Sequence, residues 1–257
     1  FNRIKYTIAC LEALGRQSYK NFTIIVIDDG SSDNTSNIVN KKFPDVILIK
    51  GDGNLWWSGA TNLGIRFAME SGAKYILTLN NDLTFDDNYL NRAMRSAKNN
   101  ALIGSVLLSS KEGYIIDGGS RLNIFNAKKH DLNKGKKIEE IKSKLVEVNV
   151  LPGRGLLIPS KVFNEIGLFN ENRLPQYGAD YEFSIRARKF GYKLYCNYRS
   201  IVISQEDNFN IKSRYINLSW SKLVRSFFDL RTSNHIKSRY NFAILSFGNI
   251  VGLYFLI

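Results

Sequence analysis

The chain has 257 residues, of which 44% are hydrophobic and 23% are charged, and its formal net charge is +13. A chain of this length and composition can bury a substantial core, which excludes a disordered protein, a collagen-like repeat and a small disulfide-stapled domain. The sequence therefore predicts a folded globular protein.

The net charge is concentrated in two stretches. Residues 121–145 carry eight basic and three acidic side chains, and residues 209–257 carry seven and one, so together they hold +11 of the +13. A protein that binds nucleic acid is expected to spread basic residues over its folded face, among aromatic side chains or on a reading helix. Because the rest of this chain is almost neutral, the charge argues against a nucleic-acid partner.

The cysteines indicate the redox environment of the protein, and the chain ends indicate whether the sequence is a fragment. Cys10 and Cys196 lie far apart and outside any CxxC or Cys/His cluster, which favours a reduced, cytosolic protein over a disulfide framework or a zinc site. The sequence has no signal peptide. It begins at Phe1 rather than Met and ends inside the apolar run 253–257, so we expect a fragment that lacks a first strand.

Strand-length apolar runs alternate with helical patterns over the first half of the chain. The run 22–27 has no polar alternation, which predicts a strand buried on both faces. Strands that alternate with helices are typical of a doubly wound α/β sheet, so the predicted fold is Rossmann-like, with a mixed, mostly parallel sheet flanked by helices. The predicted strands are 22–27, 46–49, 75–79 and 102–108, and the predicted helices are 4–14, 34–40, 58–71 and 87–98.

The pattern changes after Ser109. Residues 109–145 mix Gly, Asn and Lys with few apolar runs, which predicts irregular hairpins or a loop. Regular elements are predicted to return as strands at 146–150 and 156–158 and as helices at 161–166 and 180–190.

Two of the predicted strands end in carboxylates. Asp28 and Asp29 follow the run 22–27, and Asp82 follows the run 75–79. Ligands of open α/β sheets bind at the carboxyl ends of strands, where one acid can accept hydrogen bonds from a base or ribose and another can hold a divalent cation on a diphosphate. Each acid alone is an equally common turn former, so only the combination favours a site. Neither GxGxxG nor GxxxxGK[ST] is present, which argues against conventional dinucleotide and P-loop phosphate binding.

Five segments, spaced over about residues 1–205, together resemble family 2 glycosyltransferases. These are inverting nucleotide-sugar enzymes with the GT-A fold, and the similarity extends to rhamnosyltransferase-like bacterial members. The segments are 22–35, which contains Asp28-Asp29-Gly30-Ser31, then 59–64, 75–82, 162–171 and 177–187.

The resemblance implies roles for the residues at the first two strand ends. Asp28 and Asp29 would contact the uracil or thymine and the ribose of a UDP- or dTDP-sugar donor. Asn80 and Asn81 belong to the motif that holds the donor, and Asp82 would bind the Mn²⁺ or Mg²⁺ that bridges its diphosphate.

The resemblance makes Asp180 the general base that deprotonates an acceptor hydroxyl for one in-line displacement with inversion. The chain also departs from the family pattern. Asn80 stands where the metal motif usually has its first Asp, and 203–205 lacks a His that some members place there. Ala179 replaces a Glu that often precedes the base, so Glu182 is expected to supply the nearby charge. The implied metal site is therefore weak and is formed partly by the substrate.

Two further side chains are candidate ligands of the donor. Trp57 is either a stacking platform for a sugar or base, or a packing residue of its loop. Arg154, between Gly153 and Gly155, either reaches a phosphate or is a surface residue in a turn. Donor selectivity is expected to depend on the loops 54–60 and 152–156.

The C-terminal stretch forms the second of two predicted units, a glycosyltransferase domain at 1–208 and a basic helical segment at 209–257. The uncharged residues 240–257 just reach the length that spans a bilayer, and a helix pair that caps the domain is the alternative. We expect contact with the cytoplasmic face of a membrane. On a helical wheel the apolar arc holds Ile216, Trp220, Leu223, Val224, Phe227 and Phe228, whereas Arg214, Lys222 and Arg225 lie outside it.

The predicted function is transfer of a hexosyl-type sugar from a UDP- or dTDP-sugar to a hydroxyl of a glycan or lipid-linked acceptor, as in bacterial surface-polysaccharide assembly. The enzyme would be cytoplasmic and peripheral on the inner face of the cell membrane. One alternative is a sugar nucleotidyltransferase, which would usually need a basic, Gly-rich phosphate loop in place of Asp28-Asp29. The other is an inactive membrane-docking scaffold with the same fold, which Asn80 and Ala179 favour.

Overall fold

The computed structural model describes residues 1–123, 129–205 and 220–254, with side chains as far as residue 248. The α-helices in this part are α1 (Ile4–Gly15), α2 (Thr35–Lys42), α3 (Trp56–Glu70), α4 (Tyr89–Arg95), α5 (Ser160–Ile166), α6 (Ala179–Lys189), α7 (Trp220–Ser226) and α8 (Ile236–Tyr254). The strands are β1 (Ile25–Asp28), β2 (Ile47–Lys50), β3 (Tyr75–Thr78), β4 (Leu83–Thr84), β5 (Ala101–Ser109), β6 (Ile115–Asp117), β7 (Ser120–Leu122), β8 (Lys129–Asp131), β9 (Leu145–Glu147), β10 (Leu156–Pro159) and β11 (Lys193–Ser204).

The central sheet has seven strands and mixed direction. Five of them lie in the order β3-β10-β5-β11-β4, while β6 pairs with β5 and β9 pairs with β11. The predicted α/β class and mixed sheet are confirmed, but in the part of the chain described only β5–β11 and the separate pair β1–β2 are parallel. Antiparallel ladders outnumber them. The sequence does not predict this, because uniform apolar runs indicate burial without indicating strand direction.

Strand β5 lies at the centre of the core. Eight of its nine residues are buried, which agrees with the apolar run predicted at 102–108. Phe163 of α5, Phe183 of α6 and Phe169 between these helices form a buried aromatic cluster. Leu11 of α1 and Tyr89 of α4 belong to a second buried cluster. Strand β1 is only half-buried rather than buried on both faces, because within the described residues it pairs with β2 alone.

Strand β11 is twelve residues long and is not among the strands predicted from the sequence. Its register against β5 shifts between Asn197 and Ile201, and the Asn197 side chain bonds to Ser200 across this irregularity. The polar residues of the bulge interrupt the apolar pattern by which a strand is recognised.

The region 109–145 forms short hairpins, as predicted, in its described parts. Strands β7 and β8 pair with each other, β6 lies against β5, and a 3₁₀ turn follows at Ile138–Glu140. Asp117, at the end of β6, is buried.

Helices α7 and α8 are joined by a turn, and we call the two helices and this turn the C-terminal hairpin; α8 packs against α6. The Ile236 N–H bonds to the Phe227 carbonyl at the turn, and Phe242 packs against Gly178. The packing of α8 agrees with the predicted alternative of a buried helix pair that caps the domain, whereas α7 is largely exposed. Among the residues described, no helix is long and apolar enough to cross a membrane. Arg214 and Ile216 of the predicted amphipathic helix lie outside the described residues.

Candidate active site

The two acidic loops that follow β1 and β3 meet at the start of helix α1. The Asn2 side chain bonds to the backbone N–H of Ser32, and the Ile4 N–H donates to the carboxylate of Asp33 at 2.9 Å. On the other side, Asn81 donates to the Thr7 hydroxyl at 2.9 Å. The beginning of α1 therefore joins the two strand ends into one site.

The Asp28 side chain is bonded within the first acidic loop and to the start of helix α2. Asp28 accepts hydrogen bonds from the Ser31 N–H and the Ser36 hydroxyl. Burial opposes ionisation of this carboxyl, but those hydrogen bonds outweigh it and lower the pKa of Asp28. Asp28 is therefore a fixed negative charge at the end of β1.

Asp29 organises the loop that leads into helix α3. Its carboxylate accepts the backbone N–H groups of Gly53 at 2.7 Å, Leu55 at 2.9 Å and Trp56 at 3.2 Å. Trp56 has a φ of 56°, which is uncommon for a bulky side chain. By holding this strained turn, Asp29 sets the direction in which the next residue, Trp57, enters the site.

The three residues of the second motif have different partners. Asn80 accepts a hydrogen bond from the Trp57 indole N–H at 3.0 Å, and Asn81 is bonded to Thr7. Asp82 contacts the Arg3 guanidinium at 3.3 Å, and its side chain is 17% exposed. Of the three, only Asp82 offers a carboxylate.

The residues present fit a divalent cation that is shared with a substrate. No cluster of three His, Cys, Asp or Glu residues that could hold a metal occurs in the described chain. Asp82 alone supplies a carboxylate in this motif, and Mg²⁺ commonly binds through one or two carboxylates together with substrate phosphates. The donor set therefore suits a cation held jointly by Asp82 and a diphosphate.

Asp180 lies in the first turn of helix α6. Its carboxylate accepts the Gly153 N–H at 2.8 Å and the Tyr181 N–H at 2.9 Å. Burial raises the pKa of Asp180, and these two hydrogen bonds and the charge of Arg154 offset only part of that increase. Because a carboxylate has about four lone-pair positions, each oxygen can still accept a proton or a further hydrogen bond.

Gly153 lies between Asp180 and Trp57. A Cβ atom at this position would come within 2.5 Å of the indole ring and 3.3 Å of the Asp180 Cβ, so only glycine lets the ring lie this close. The indole also packs edge-on against Phe169, with 5.3 Å between ring centroids. Trp57 therefore packs within the fold and also lines the space between the base candidate and Asn80.

Arg154 is positioned by a residue that sequence reasoning missed. Its guanidinium lies 3.5 Å from the buried carboxylate of Asp117, and its charge acts on Asp180. Asp117 ends a three-residue strand within the stretch predicted to be irregular, so no sequence pattern marks it.

The expectation for Glu182 is corrected by the structure. Its buried carboxylate forms a two-pronged ion pair with Arg186, at 2.8 and 3.0 Å. Arg186 also donates to the carbonyls of Ile166 and Leu168. The charge of Glu182 is thus neutralised within helix α6, where the pair ties α6 to the segment after α5.

The chain is similar in sequence to known proteins over about two thirds of its length. The family model of Glycosyl transferase family 2 matches residues 1–167. Uncharacterized glycosyltransferases of Rickettsia conorii and Rickettsia bellii are 29% and 30% identical over 184 and 183 residues, which is 68% of this chain in each case. The chain spans only 26% and 23% of the length of these two relatives.

Solved structures agree in fold. A crystal structure of GalNAc-T7 with UDP, GalNAc and Mn²⁺ has a TM-score of 0.59 at 15% identity, over 85% of this chain and 46% of that one. Staphylococcus aureus TarS 1–349 has a TM-score of 0.55 at 14% identity, over 96% and 78% of the two chains.

Proposed function

Because the chain belongs to glycosyl transferase family 2, we propose that it transfers a sugar with inversion from a UDP- or dTDP-sugar to a hydroxyl group. One observation carries this proposal. Trp57 bonds to Asn80 of the second acidic motif, and the same indole lies over Gly153, whose N–H holds Asp180. A donor motif and a candidate base thus face each other across one aromatic ring.

In the proposed reaction, each side of the site has its own task. Asp28, Asp29, Asn80 and Asn81 bind the nucleotide side of the donor, with Trp57 against the sugar. Asp180 takes the proton of the acceptor hydroxyl as its oxygen attacks the anomeric carbon, and the nucleoside diphosphate leaves from the opposite face. A divalent cation on Asp82, when bound, neutralises charge on the leaving diphosphate. Arg154 stabilises the ionised form of Asp180.

Nucleotide binding with and without metal tests the donor side. We expect calorimetry to detect UDP or dTDP and to show tighter binding with Mn²⁺. Asp82→Ala should remove most of the Mn²⁺ effect, about tenfold in affinity, while binding in EDTA persists. GDP serves as the mismatched base.

The same experiment separates the alternatives. Absence of binding by all three diphosphates would support the inactive scaffold. Preference for a triphosphate, with release of pyrophosphate, would support a nucleotidyltransferase.

On the acceptor side, we propose a lipid-linked glycan presented at a membrane surface. Nine large hydrophobic side chains are exposed in the described part of the chain, and five of them lie between residues 220 and 240. Trp220 is 83% exposed and Phe228 is 74% exposed. The five basic residues of the C-terminal hairpin are all exposed and accompany a single acid, Asp229. This combination fits an anionic lipid surface better than water.

The C-terminal hairpin also lies beside the base candidate. Helix α8 directs small polar residues such as Ser238 and Ser246 inward, whereas Ile236 and Tyr240 face solvent. Tyr177, three residues before Asp180, donates its hydroxyl hydrogen to the Arg231 carbonyl at 3.3 Å. A membrane bound here would bring lipid-linked acceptors near Asp180. The proposed location is accordingly cytoplasmic and peripheral on the inner face of the cell membrane.

Flotation with lipid vesicles tests the membrane proposal. We expect the protein to float with vesicles rich in phosphatidylglycerol and not with pure phosphatidylcholine. Replacing both Trp220 and Phe228 by serine should lower the bound fraction about tenfold, because their apolar area no longer enters the interface. Phe190→Ser is a matched control, since Phe190 is 60% exposed but lies at the end of α6. Equal loss in the control would contradict the proposal.

A further inference from the structure

The residues just before helix α1 touch both parts of the proposed donor site. Asn2 contacts Ser31 and Ser32 of the first acidic loop through its backbone and side chain. Between Asn2 and Ile4, the Arg3 guanidinium reaches Asp82 of the second acidic motif. Arg3 therefore lies between the end of the site that would hold a nucleoside and the end that would hold a metal.

The ion pair between Arg3 and Asp82 is accessible to a ligand. The two side chains are 41% and 17% exposed, and 3.3 Å is a long contact for a charge-assisted hydrogen bond. A guanidinium carries five N–H donors in one plane, so it can keep a carboxylate and still bind phosphate oxygens. Both charged groups are thus within reach of a ligand from solvent.

A diphosphate bound beside Asp82 would place several negative charges together, so a positive group in addition to any metal would favour binding. Asp82 is the single carboxylate of the motif, and a diphosphate brought next to it adds further negative charge. When no metal is bound, Arg3 is the cation seen in contact with Asp82. A divalent cation on Asp82 would compete with the guanidinium for this carboxylate.

We propose that Arg3 is a diphosphate-binding residue that shares Asp82 with the divalent cation. The inference rests on the proposed nucleotide-sugar function and deepens it. Without metal, Arg3 neutralises Asp82 and admits the diphosphate. With metal, its hydrogen bonds pass to the diphosphate. The ligand is a nucleoside diphosphate, with or without an attached sugar.

The start of α1 has several contacts that do not involve the Arg3 side chain. Its backbone is held by the Ile4 N–H on Asp33 and by Asn2 on Ser32. The Thr7 N–H and hydroxyl bond to the Arg3 carbonyl, which every substitution keeps. The variants Arg3→Ala and Arg3→Lys are therefore expected to fold.

The test measures UDP and dTDP affinity by calorimetry, once in EDTA and once in saturating Mn²⁺. In EDTA, Arg3→Ala should bind about 10- to 100-fold more weakly, because a charged hydrogen bond is lost and Asp82 is left to repel the diphosphate. In Mn²⁺ the loss should be clearly smaller, since the metal neutralises Asp82. Arg3→Lys should recover part of the affinity. Adding Asp82→Asn to Arg3→Ala should recover part of it in EDTA.

Arg16→Ala is the matched control. Arg16 lies at the other end of α1 and pairs with Asp87 at the same distance of 3.3 Å. Its affinities should equal those of the unchanged protein in both conditions. A loss shared by Arg16→Ala would assign the effect to the helix. An equal loss in EDTA and Mn²⁺ would show that Arg3 does not share Asp82 with the cation. Either result overturns the inference.

The remaining outcomes separate the inference from the function it rests on. If the unchanged protein binds nucleotide and Arg3→Ala binds it equally well, the inference is wrong and the proposed function stands. If the unchanged protein binds no nucleotide in either condition, both are wrong.

Discussion

Sugar transfer by the Asp180→Asn protein is expected to be about 10²- to 10⁴-fold slower than by the unchanged protein. The amide cannot accept the proton of an acceptor hydroxyl. Its single oxygen can still accept the Gly153 N–H, which lies 2.8 Å from the native carboxylate. The hydrogen bond from the Tyr181 N–H to the other oxygen is lost, because an amide nitrogen cannot accept it. Since that bond lies within the first turn of α6, the site should keep its shape. The measurement is the rate of product formation with a nucleotide sugar, alongside nucleotide affinity, which should remain nearly unchanged.

Asp87→Asn is the control for this substitution. Asp87 is an exposed carboxylate that pairs with Arg16 outside the candidate site, and its replacement should leave the rate unchanged. Full activity in Asp180→Asn would remove the base assignment.

The pH dependence of transfer provides a second readout of the same residue. A general base acts in its deprotonated form, so the rate rises as pH rises through its pKa. Since burial raises the pKa of Asp180, the rising limb should lie above the ordinary aspartate value of 3.8. In Asp180→Asn this limb should be absent.

Arg186→Met is expected to destabilise the protein by about 3–5 kcal/mol, because it leaves Glu182 buried without its partner. The Glu182 side chain is only 4% exposed, and Arg186 additionally holds the carbonyls of Ile166 and Leu168. The free energy of unfolding, measured by urea denaturation, gives the loss directly.

A double variant distinguishes the unpaired charge from lost packing. Glu182→Met combined with Arg186→Met removes both charges and should restore much of the stability. Lys193→Met breaks an ion pair with Glu147 in which both side chains are 57% exposed, and it should cost less than about 1 kcal/mol. A similar loss in the exposed and buried variants would show that burial of Glu182 is not the cause.

The order of elements was predictable because their signals are local. Helix α1 begins at the predicted Ile4, and the buried strand β5 follows from an apolar run. Strand direction and the bulged strand β11 were not predictable, since ladder partners lie far apart in sequence. Asn197 and Ser200 make a buried strand resemble a loop, although they bond to each other in the fold.

The candidate site was predictable in its acids and not in the residues around them. The strand ends at Asp28 and Asp82 are visible in sequence, and the family resemblance adds Asp180. Arg3 and Asp117 carry no pattern of their own, because each acquires its partner only through folding. A polar Asn-Arg pair directly before an amphipathic helix is the one signal that could have drawn attention to Arg3.

The packing of helix α8 sets a practical limit on how the chain can be shortened. Phe242 covers Gly178 next to the base helix, Asn241 accepts hydrogen bonds from Arg173, and Lys189 of α6 donates to the Ser246 carbonyl. Removing the apolar tail to improve handling would strip these contacts from the base side of the site unless the cut falls beyond Ser246. The kink at Gly248, where φ is 80°, lies just beyond these contacts and is a suitable position for such a cut.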